Sequence, residues 1–188
     1  MFKKEEYINK IKELAKLNNN EGAIVLLKGN LETTILALLA KEAFPNNVNT
    51  IMVDIDSKQG KWRNGLRIIE MISPKEDIRL DLQEEFEAVI KKTFEKKDIY
   101  RDPETYNKYL KTGEAPIDDS YLDSADLPKW RKGIRCKWRT AFLVAHAHKN
   151  NLLPLEGLSG VNGNSLVTIA KELGVPEIVI ETTEDNNG

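Results

Sequence analysis

The feature that most constrains the fold is the segment 23–44, AIVLLKGNLETTILALLAKEAF, in which an apolar run passes through a short polar turn into a helical pattern. The run AIVLL is typical of a buried strand, and Gly29 permits a tight turn directly after it. The first N–H groups of the following helix have no partner within the helix, and together with the helix dipole they favour an anion. The segment therefore predicts either a phosphate-binding turn or an ordinary strand–helix unit of an α/β protein.

Two common phosphate-binding motifs are excluded by the residues of this turn. A Walker A loop needs Gly-Lys-Ser/Thr after four intervening residues, and the turn lacks that sequence. A dinucleotide-binding fingerprint needs three spaced glycines, whereas Gly29 is the one glycine of the segment. A phosphate site here would therefore be of another kind.

Composition indicates a globular protein rather than a membrane or nucleic-acid-coating one. The 188 residues are 40% hydrophobic and 31% charged, enough to bury the core of one domain, which we expect to span residues 1–188. A net charge of −2 gives no general attraction to nucleic acid or anionic membranes, and no apolar run approaches the roughly 20 residues that span a bilayer. Cys136 is the single cysteine, which fits a reducing compartment, so we expect a cytoplasmic protein.

Strand-like and helix-like segments alternate along the chain. Strands are predicted at residues 23–27, 49–55, 77–82, 151–155 and 177–181, and helices at 3–17, 31–44, 57–70, 83–94, 133–150 and 165–173. This alternation predicts an α/β fold with a doubly wound, parallel five-stranded sheet and helices on both faces. The ligand would lie beyond the carboxyl ends of the strands. Residues from about 95 to 130, rich in proline and tyrosine, are predicted to form an ordered excursion of turns and short helices.

The turn itself is similar to a known motif. The sequence LKGNLETT resembles the pyrophosphate loop of the N-type ATP pyrophosphatases, whose pattern is Ser-Gly-Gly-x-Asp-Ser. Gly29 is identical, Glu32 stands in place of the aspartate and Thr33 in place of the serine. Lys28 replaces the first serine and Asn30 the second glycine.

Three further segments, in the same order along the chain, extend the resemblance. Residues 132–149 are similar to a helix that carries two arginines, with Lys137 and Arg139 at their places. Residues 152–157 resemble the strand that leads into a Gly-Thr-x-Asn loop, and 167–180 the helix-Leu-Gly-Val-Pro-strand ending. The ordered set resembles the ammonia-dependent NAD synthetases, and the chain is identified as a divergent, shortened member with an adenine nucleotide alpha hydrolase-like, Rossmann-like fold.

The resemblance implies a reaction and a set of residues. Such enzymes bind ATP and nicotinic acid adenine dinucleotide, adenylate the nicotinate carboxylate with release of pyrophosphate, and let ammonia displace AMP. It implies ATP and Mg²⁺ as cofactors, a nucleotide-like substrate and a homodimer. Glu32 would hold the metal and act in catalysis with Lys137 and Arg139, which would face the nucleotide substrate. The residues implied to bind the cofactor are Leu27, Lys28, Gly29, Asn30, Glu32, Thr33 and Thr34.

Other functions remain open because parts of the family pattern differ. The family loop Gly-Thr-x-Asn-x-x-Glu corresponds here to EGLSGVN at 156–162, which lacks the threonine and the glutamate at their places, and Glu156 lies too early to replace the latter. The family's Lys-Tyr-Gly-Asp substrate loop has no counterpart. One alternative is a catalytically impaired relative that binds a nucleotide or a protein. Another is an enzyme that adenylates a different substrate.

A cationic run, WRKGIRCKWR at 130–139, places two indoles among five positive charges. It is consistent with nucleotide binding through charge and ring stacking, with binding of RNA phosphates, or with a basic helix terminus. Because the whole chain is nearly neutral, we favour a small nucleotide or an acidic partner surface over nucleic acid.

Overall fold

The structure, a computed structural model, describes residues 3–95, 129–158 and 163–184. The elements in these ranges are, in chain order, α1 (Lys4–Leu17), β1 (Gly22–Leu26), α2 (Leu31–Ala43), β2 (Val48–Asp54), α3 (Gln59–Ile72), β3 (Glu76–Asp81), α4 (Gln83–Glu95), α5 (Lys129–Lys149), β4 (Leu152–Leu155), α6 (Gly163–Glu172) and α7 (Glu177–Glu184). The excursion predicted at about 95–130 falls almost wholly outside the described residues. None of the described helices is long and apolar enough to cross a bilayer.

The strands form one sheet in the order β3-β2-β1-β4. Strand β1 runs parallel to β2, with Ala23 opposite Val48, and parallel to β4, with Gly22 opposite Leu152. Every residue of β1 is buried, as expected for a strand covered by helices on both faces. The predicted α/β fold with a parallel sheet flanked by helices is therefore confirmed.

The fifth strand predicted at residues 177–181 is wrong, because this segment forms helix α7. The N–H groups of Val179 and Ile180 both donate to the carbonyl of Pro176, at 2.9 and 3.3 Å. Within the segment Val179 and Ile180 are both buried whereas Ile178 is exposed, which is not the alternation of a half-buried strand. Proline immediately before the helix is tolerated, since an N–H there would have no helical partner. The described residues therefore contain a four-stranded sheet.

Helix α2 lies at the centre of the hydrophobic core. It packs against α1, α3, α6 and β1, and most of its side chains are buried, including Ile35, Ala37 and Leu39 with no exposed area. Its only charged first-turn residue is Glu32, at the end where the dipole favours a negative charge. This burial fixes the N-terminus of α2 at the carboxyl end of β1.

The chain packs as two compact units. The first consists of Met1–Val53, Ser57–Leu80 and Arg139–Gly188, and the second of Asp54–Asp56 and Asp81–Trp138. The first unit contains the turn after β1, and the second contains most of the cationic run. Each is described below by itself.

Candidate functional site

The turn between β1 and α2 requires a glycine. Gly29 has a φ of 67°, in the left-handed region that side chains other than glycine rarely adopt. A Cβ atom added there would lie 1.9 Å from the carbonyl oxygen of Lys61, in the first turn of α3. The tight turn predicted from the sequence is thus present, and the backbone of α3 packs directly against it.

Side chains of the turn itself cap the start of α2. The side-chain oxygen of Asn30 accepts hydrogen bonds from the N–H and the hydroxyl of Thr33, at 3.0 and 2.7 Å. The Thr33 hydroxyl in turn accepts from the N–H of Lys28 at 3.2 Å, and the Thr34 hydroxyl donates to the carbonyl of Asn30 at 2.9 Å. Both threonines are buried. Their hydroxyls hold the shape of the turn, and the N–H groups of Lys28 and Thr33 are bonded within it.

An ion pair joins the ends of two neighbouring strands. The Nζ of Lys28, just after β1, lies 3.0 Å from Oε1 of Glu156, just after β4, and the two side chains are 27% and 32% exposed. The hydroxyl of Thr140 donates to the other carboxylate oxygen of Glu156 at 2.7 Å. The strand order changes direction between β1 and β4, and ligands of open α/β sheets bind at such a point. The sequence analysis missed this pair, although Glu156 directly follows β4 and Lys28 lies two residues after the end of β1.

Glu32 is attached to the loop that follows β4. Its Oε1 accepts a hydrogen bond from the N–H of Leu158 at 2.7 Å. A Cβ atom at Gly157 would lie 2.9 Å from the same oxygen, so the glycine leaves room for the carboxylate. The described residues contain no group of three or more His, Cys, Asp or Glu side chains that could hold a metal ion.

A crevice of about 240 Å³, which includes space open to solvent, lies beyond the carboxyl ends of β1 and β2. Its lining residues are Leu27, Lys28, Met52, Val53, Ser57, Lys61, Trp62 and Arg139. Arg139 Nε donates to the carbonyl of Val53 at 3.1 Å, and Nη2 donates to the hydroxyl of Ser57 at 2.9 Å. Because this volume counts space open to solvent, the crevice is a shallow depression, far smaller than the roughly 300 Å³ at which pockets for drug-sized ligands begin.

The predicted site residues divide between the two units. Leu27, Lys28 and Arg139 line the crevice of the first unit, and the turn residues 29–34 lie in the same unit. Lys137 is an exposed residue of the second unit. Since residues two apart on a helix do not share a face, Lys137 and Arg139 present their charges in different directions. Ser57, Lys61 and Trp62 are lining residues that the sequence analysis did not predict.

The second unit holds a buried ion-pair network. Arg131 Nε and Nη2 donate to the two carboxylate oxygens of Asp56 at 2.9 and 2.7 Å, and the side chains are 2% and 0% exposed. Glu87 accepts two further bonds from Arg131, and Gln83 Nε2 donates to Asp56 at 3.2 Å. Arg131, a residue of the cationic run, is therefore enclosed by acidic side chains. The sequence analysis did not predict this network.

The opposite charges of this network keep Asp56 and Arg131 ionised, although burial alone would favour their neutral forms. Burial by itself would raise the pKa of Asp56, but the hydrogen bonds from Arg131 and Gln83 outweigh it and hold that pKa below its ordinary value. Burial would likewise lower the pKa of Arg131, and the bonds to Asp56 and Glu87 instead raise it. The guanidinium also lies 5.0 Å from the centre of the Phe86 ring. Both groups are charged throughout the physiological pH range.

The α/β fold of this chain, a parallel sheet flanked by helices, is shared by solved NAD and NMN synthetases. NH3-dependent NAD synthetase from Campylobacter jejuni superposes with a TM-score of 0.69 at 14% identity, over 95% of this chain and 75% of that one. NAD+ synthetase from Burkholderia pseudomallei gives 0.64 at 12%, over 94% and 77%. NMN synthetase from Francisella tularensis gives 0.63 at 17%, over 96% and 75%. At these identities the likeness is one of fold.

The sequence comparison points to the same group of proteins. The chain is 30% identical over 76 residues to NH(3)-dependent NAD(+) synthetase of Mesoplasma florum, a match that spans 40% of this chain and 31% of that protein. No family profile matches the chain. The resemblance to the ammonia-dependent NAD synthetases is thus confirmed over part of the sequence and in the fold.

Proposed function

We propose that this chain is an NAD synthetase-like protein that binds ATP at the crevice after β1. The observation that carries the proposal is the position of the Gly29 turn. This turn lies at the carboxyl edge of a parallel sheet, at the head of the buried helix α2, with Lys28 and Arg139 lining the same crevice. A helix N-terminus and two cations favour a polyanion there.

Each turn residue has a proposed part in nucleotide binding. Lys28, Gly29 and Asn30 would contact the phosphates. Thr33 and Thr34 would keep the turn in shape through their bonds to Asn30, and the buried Leu27 would anchor the turn to the core. Since the crevice is smaller than a nucleotide, the remainder of the ligand would lie outside it.

The donor set fits a magnesium ion that arrives with the nucleotide. Mg²⁺ is commonly held by one or two carboxylates together with substrate phosphates, rather than by a cage of protein side chains. Glu32 offers one carboxylate at the head of α2, fixed by the Leu158 N–H. We propose that Glu32 holds the ion, which would neutralise phosphate charge when bound.

The proposed reaction is the ATP-dependent amidation of nicotinic acid adenine dinucleotide. The nicotinate carboxylate attacks the α-phosphorus of ATP and pyrophosphate leaves. Ammonia then attacks the acyl carbon, AMP leaves with the bonding electron pair, and the ammonia nitrogen loses a proton. Lys28 and Arg139 would offset the phosphate charge in the first step, and Lys137 would face the dinucleotide.

A second candidate function is nucleotide binding without catalysis. It is favoured by the fact that Lys28 is already paired with Glu156, while the N–H groups of Lys28 and Thr33 are bonded within the turn. A site whose donors are engaged by the protein offers fewer of them to a transition state. The same fold and turn would then serve sensing or association.

Two measurements separate these functions. Calorimetric titration with ATP and MgCl₂ tests binding, and pyrophosphate release with nicotinic acid adenine dinucleotide and ammonium tests the reaction. Binding with release supports the synthetase, and binding without release supports the second candidate. Absence of ATP binding overturns both. For a variant that removes the Lys28 charge from the site, Lys4→Met is the matched control, because Lys4 forms an exposed ion pair with Glu42 elsewhere in the same unit.

The resemblance also implies a homodimer, and the single cysteine, Cys136, favours the cytoplasm; we include both in the proposal. Light scattering coupled to size-exclusion chromatography tests the dimer. A monomer at micromolar concentration would contradict it.

A further inference from the structure

The Lys28–Glu156 pair places an acidic side chain on the cation that the proposed phosphate site would use. Glu156 Oε1 lies 3.0 Å from the Lys28 Nζ, within the range of a charge-assisted hydrogen bond. Lys28 belongs to the turn and lines the crevice. The carboxylate therefore occupies the position at which a phosphate oxygen would pair with the same ammonium.

The pair is weak enough to be exchanged. Both side chains are partly exposed, and ion pairs at such positions contribute little because water screens them. A polyphosphate carries more charge than a carboxylate and can also approach the N-terminus of α2. The ion pair can thus open when a polyanion arrives, without leaving a buried charge unpaired.

Thr140 keeps the carboxylate in this position. Its hydroxyl donates to Glu156 Oε2 at 2.7 Å, while Lys28 contacts Oε1. Thr140 lies one residue after Arg139, which lines the crevice. The residue that positions Glu156 is therefore the sequence neighbour of a second cation of the site.

We propose that Glu156 is an internal competitor for the Lys28 ammonium, positioned by Thr140, and that it lowers the affinity of this site for polyphosphates. The inference rests on the proposed function, since it concerns the same anion site. It adds that the Lys28–Glu156 ion pair is broken whenever a polyphosphate is bound. Removal of the competing charge then strengthens binding.

Titration of the whole protein with inorganic pyrophosphate in the absence of divalent cations tests this competition. Glu156→Gln keeps the size of the side chain and removes its charge, and we expect about fivefold tighter binding. Thr140→Val frees the carboxylate without removing it, and we expect a gain of about twofold. Glu42→Gln, which breaks the exposed pair with Lys4, is the matched control and should leave the affinity unchanged.

Lys28→Met combined with Glu156→Gln separates competition from simple repulsion. If Glu156 acts by occupying Lys28, its substitution gives little gain once Lys28 is gone. An undiminished gain in the Lys28→Met background overturns the competition, because Glu156 would then repel the ligand directly. Weaker binding by Glu156→Gln also overturns it and makes Glu156 part of the binding surface.

The outcome also distinguishes this inference from the proposed function. If the wild type binds ATP but Glu156→Gln leaves the affinity for pyrophosphate unchanged, the competition fails and the ATP site stands. If neither protein binds ATP or pyrophosphate, both fail. Binding of pyrophosphate by Glu156→Gln alone supports the competition, since the competitor then hides the site.

Discussion

Two ion pairs in this protein, Lys28–Glu156 and Arg131–Asp56, differ in how far their side chains are buried. Lys28 and Glu156 form a single contact at 3.0 Å, and about a third of each side chain is exposed. Arg131 and Asp56 form two contacts, share further partners in Glu87 and Gln83, and are almost completely buried. The same kind of attraction therefore operates in two different surroundings.

The difference decides what each pair can do. Breaking the Lys28–Glu156 pair, which is partly exposed, leaves both charges within reach of water, so the free-energy change is small and a ligand can supply it. Breaking the buried pair leaves a charge without water or partner, which is unfavourable by several kcal/mol. We therefore assign the exposed pair to ligand exchange and the buried network to the structure of the second unit.

The largest effect is expected from Arg131→Met, which leaves Asp56 buried without its main partner. We expect the free energy of unfolding to fall by about 3 kcal/mol, as measured by urea denaturation followed by tryptophan fluorescence. Lys171→Met, in an exposed pair with Glu177 at 3.4 Å, is the control and should unfold like the wild type. Equal stability of the two variants would contradict the structural role of the network.

Gly29→Ala is expected to have the next largest effect. The φ of 67° and the Lys61 carbonyl 1.9 Å from an added Cβ both oppose a side chain. We expect a loss of about 2 kcal/mol in the free energy of unfolding. Gly60→Ala is the matched control, because its Cβ would meet no atom within 4 Å and it lies in α3, where alanine favours the helix. Similar losses in both variants would show that the turn after β1 is not specifically constrained.

Lys28→Met tests the exposed pair through binding rather than stability. We expect the affinity for ATP to fall about tenfold, because a charge-assisted contact to phosphate is lost. Thermal unfolding should change little, since the lost ion pair is partly exposed. Calorimetry checks the affinity, with Lys4→Met as the control. Unchanged affinity for ATP would remove Lys28 from the proposed site.

The smallest effect is expected in the pH dependence of the unfolding free energy at acid pH. The pKa of Asp56 is lowered in the folded protein, so its contribution is complete above the ordinary pKa of the unfolded carboxyl, about 3.9, and is lost as the pH falls through the folded value. Below about pH 4 we expect Asp56→Asn to reduce the slope of the unfolding free energy against pH. The reduction is at most the slope that the uptake of one proton gives. Urea unfolding from pH 2.5 to 6 measures the slope. Parallel curves for the two proteins would contradict the assigned pKa direction.

Much of the fold could be predicted because local patterns agreed with burial. The apolar run of β1, the glycine turn and the helix after it were located within a residue or two, and the parallel sheet followed from alternation. The error at 177–181 has a clear cause. The sequence VPEIVI fits a buried strand as well as a short helix. The hydrogen bonds from the N–H groups of Val179 and Ile180 to the carbonyl of Pro176 show that the helix forms.

The candidate site was predicted less completely. The residues of the turn are close together in sequence, so a motif could name them, although their part in nucleotide binding stays a prediction. Glu156 is 128 residues from Lys28, and Arg131 is 75 from Asp56. No local spacing predicts such pairs.

The sequence by itself determined most of the elements, all but the segment 177–181, because hydrophobic periodicity and a glycine that permits a left-handed turn act over a few residues. Only the tertiary structure decided which charges meet. Placing β4 beside β1 brings Glu156 to Lys28, and packing within the second unit encloses Arg131 between two carboxylates. The reason is physical, since the free energy of an ion pair depends on its partner and on its exposure to water, and both are fixed by contacts between distant parts of the chain.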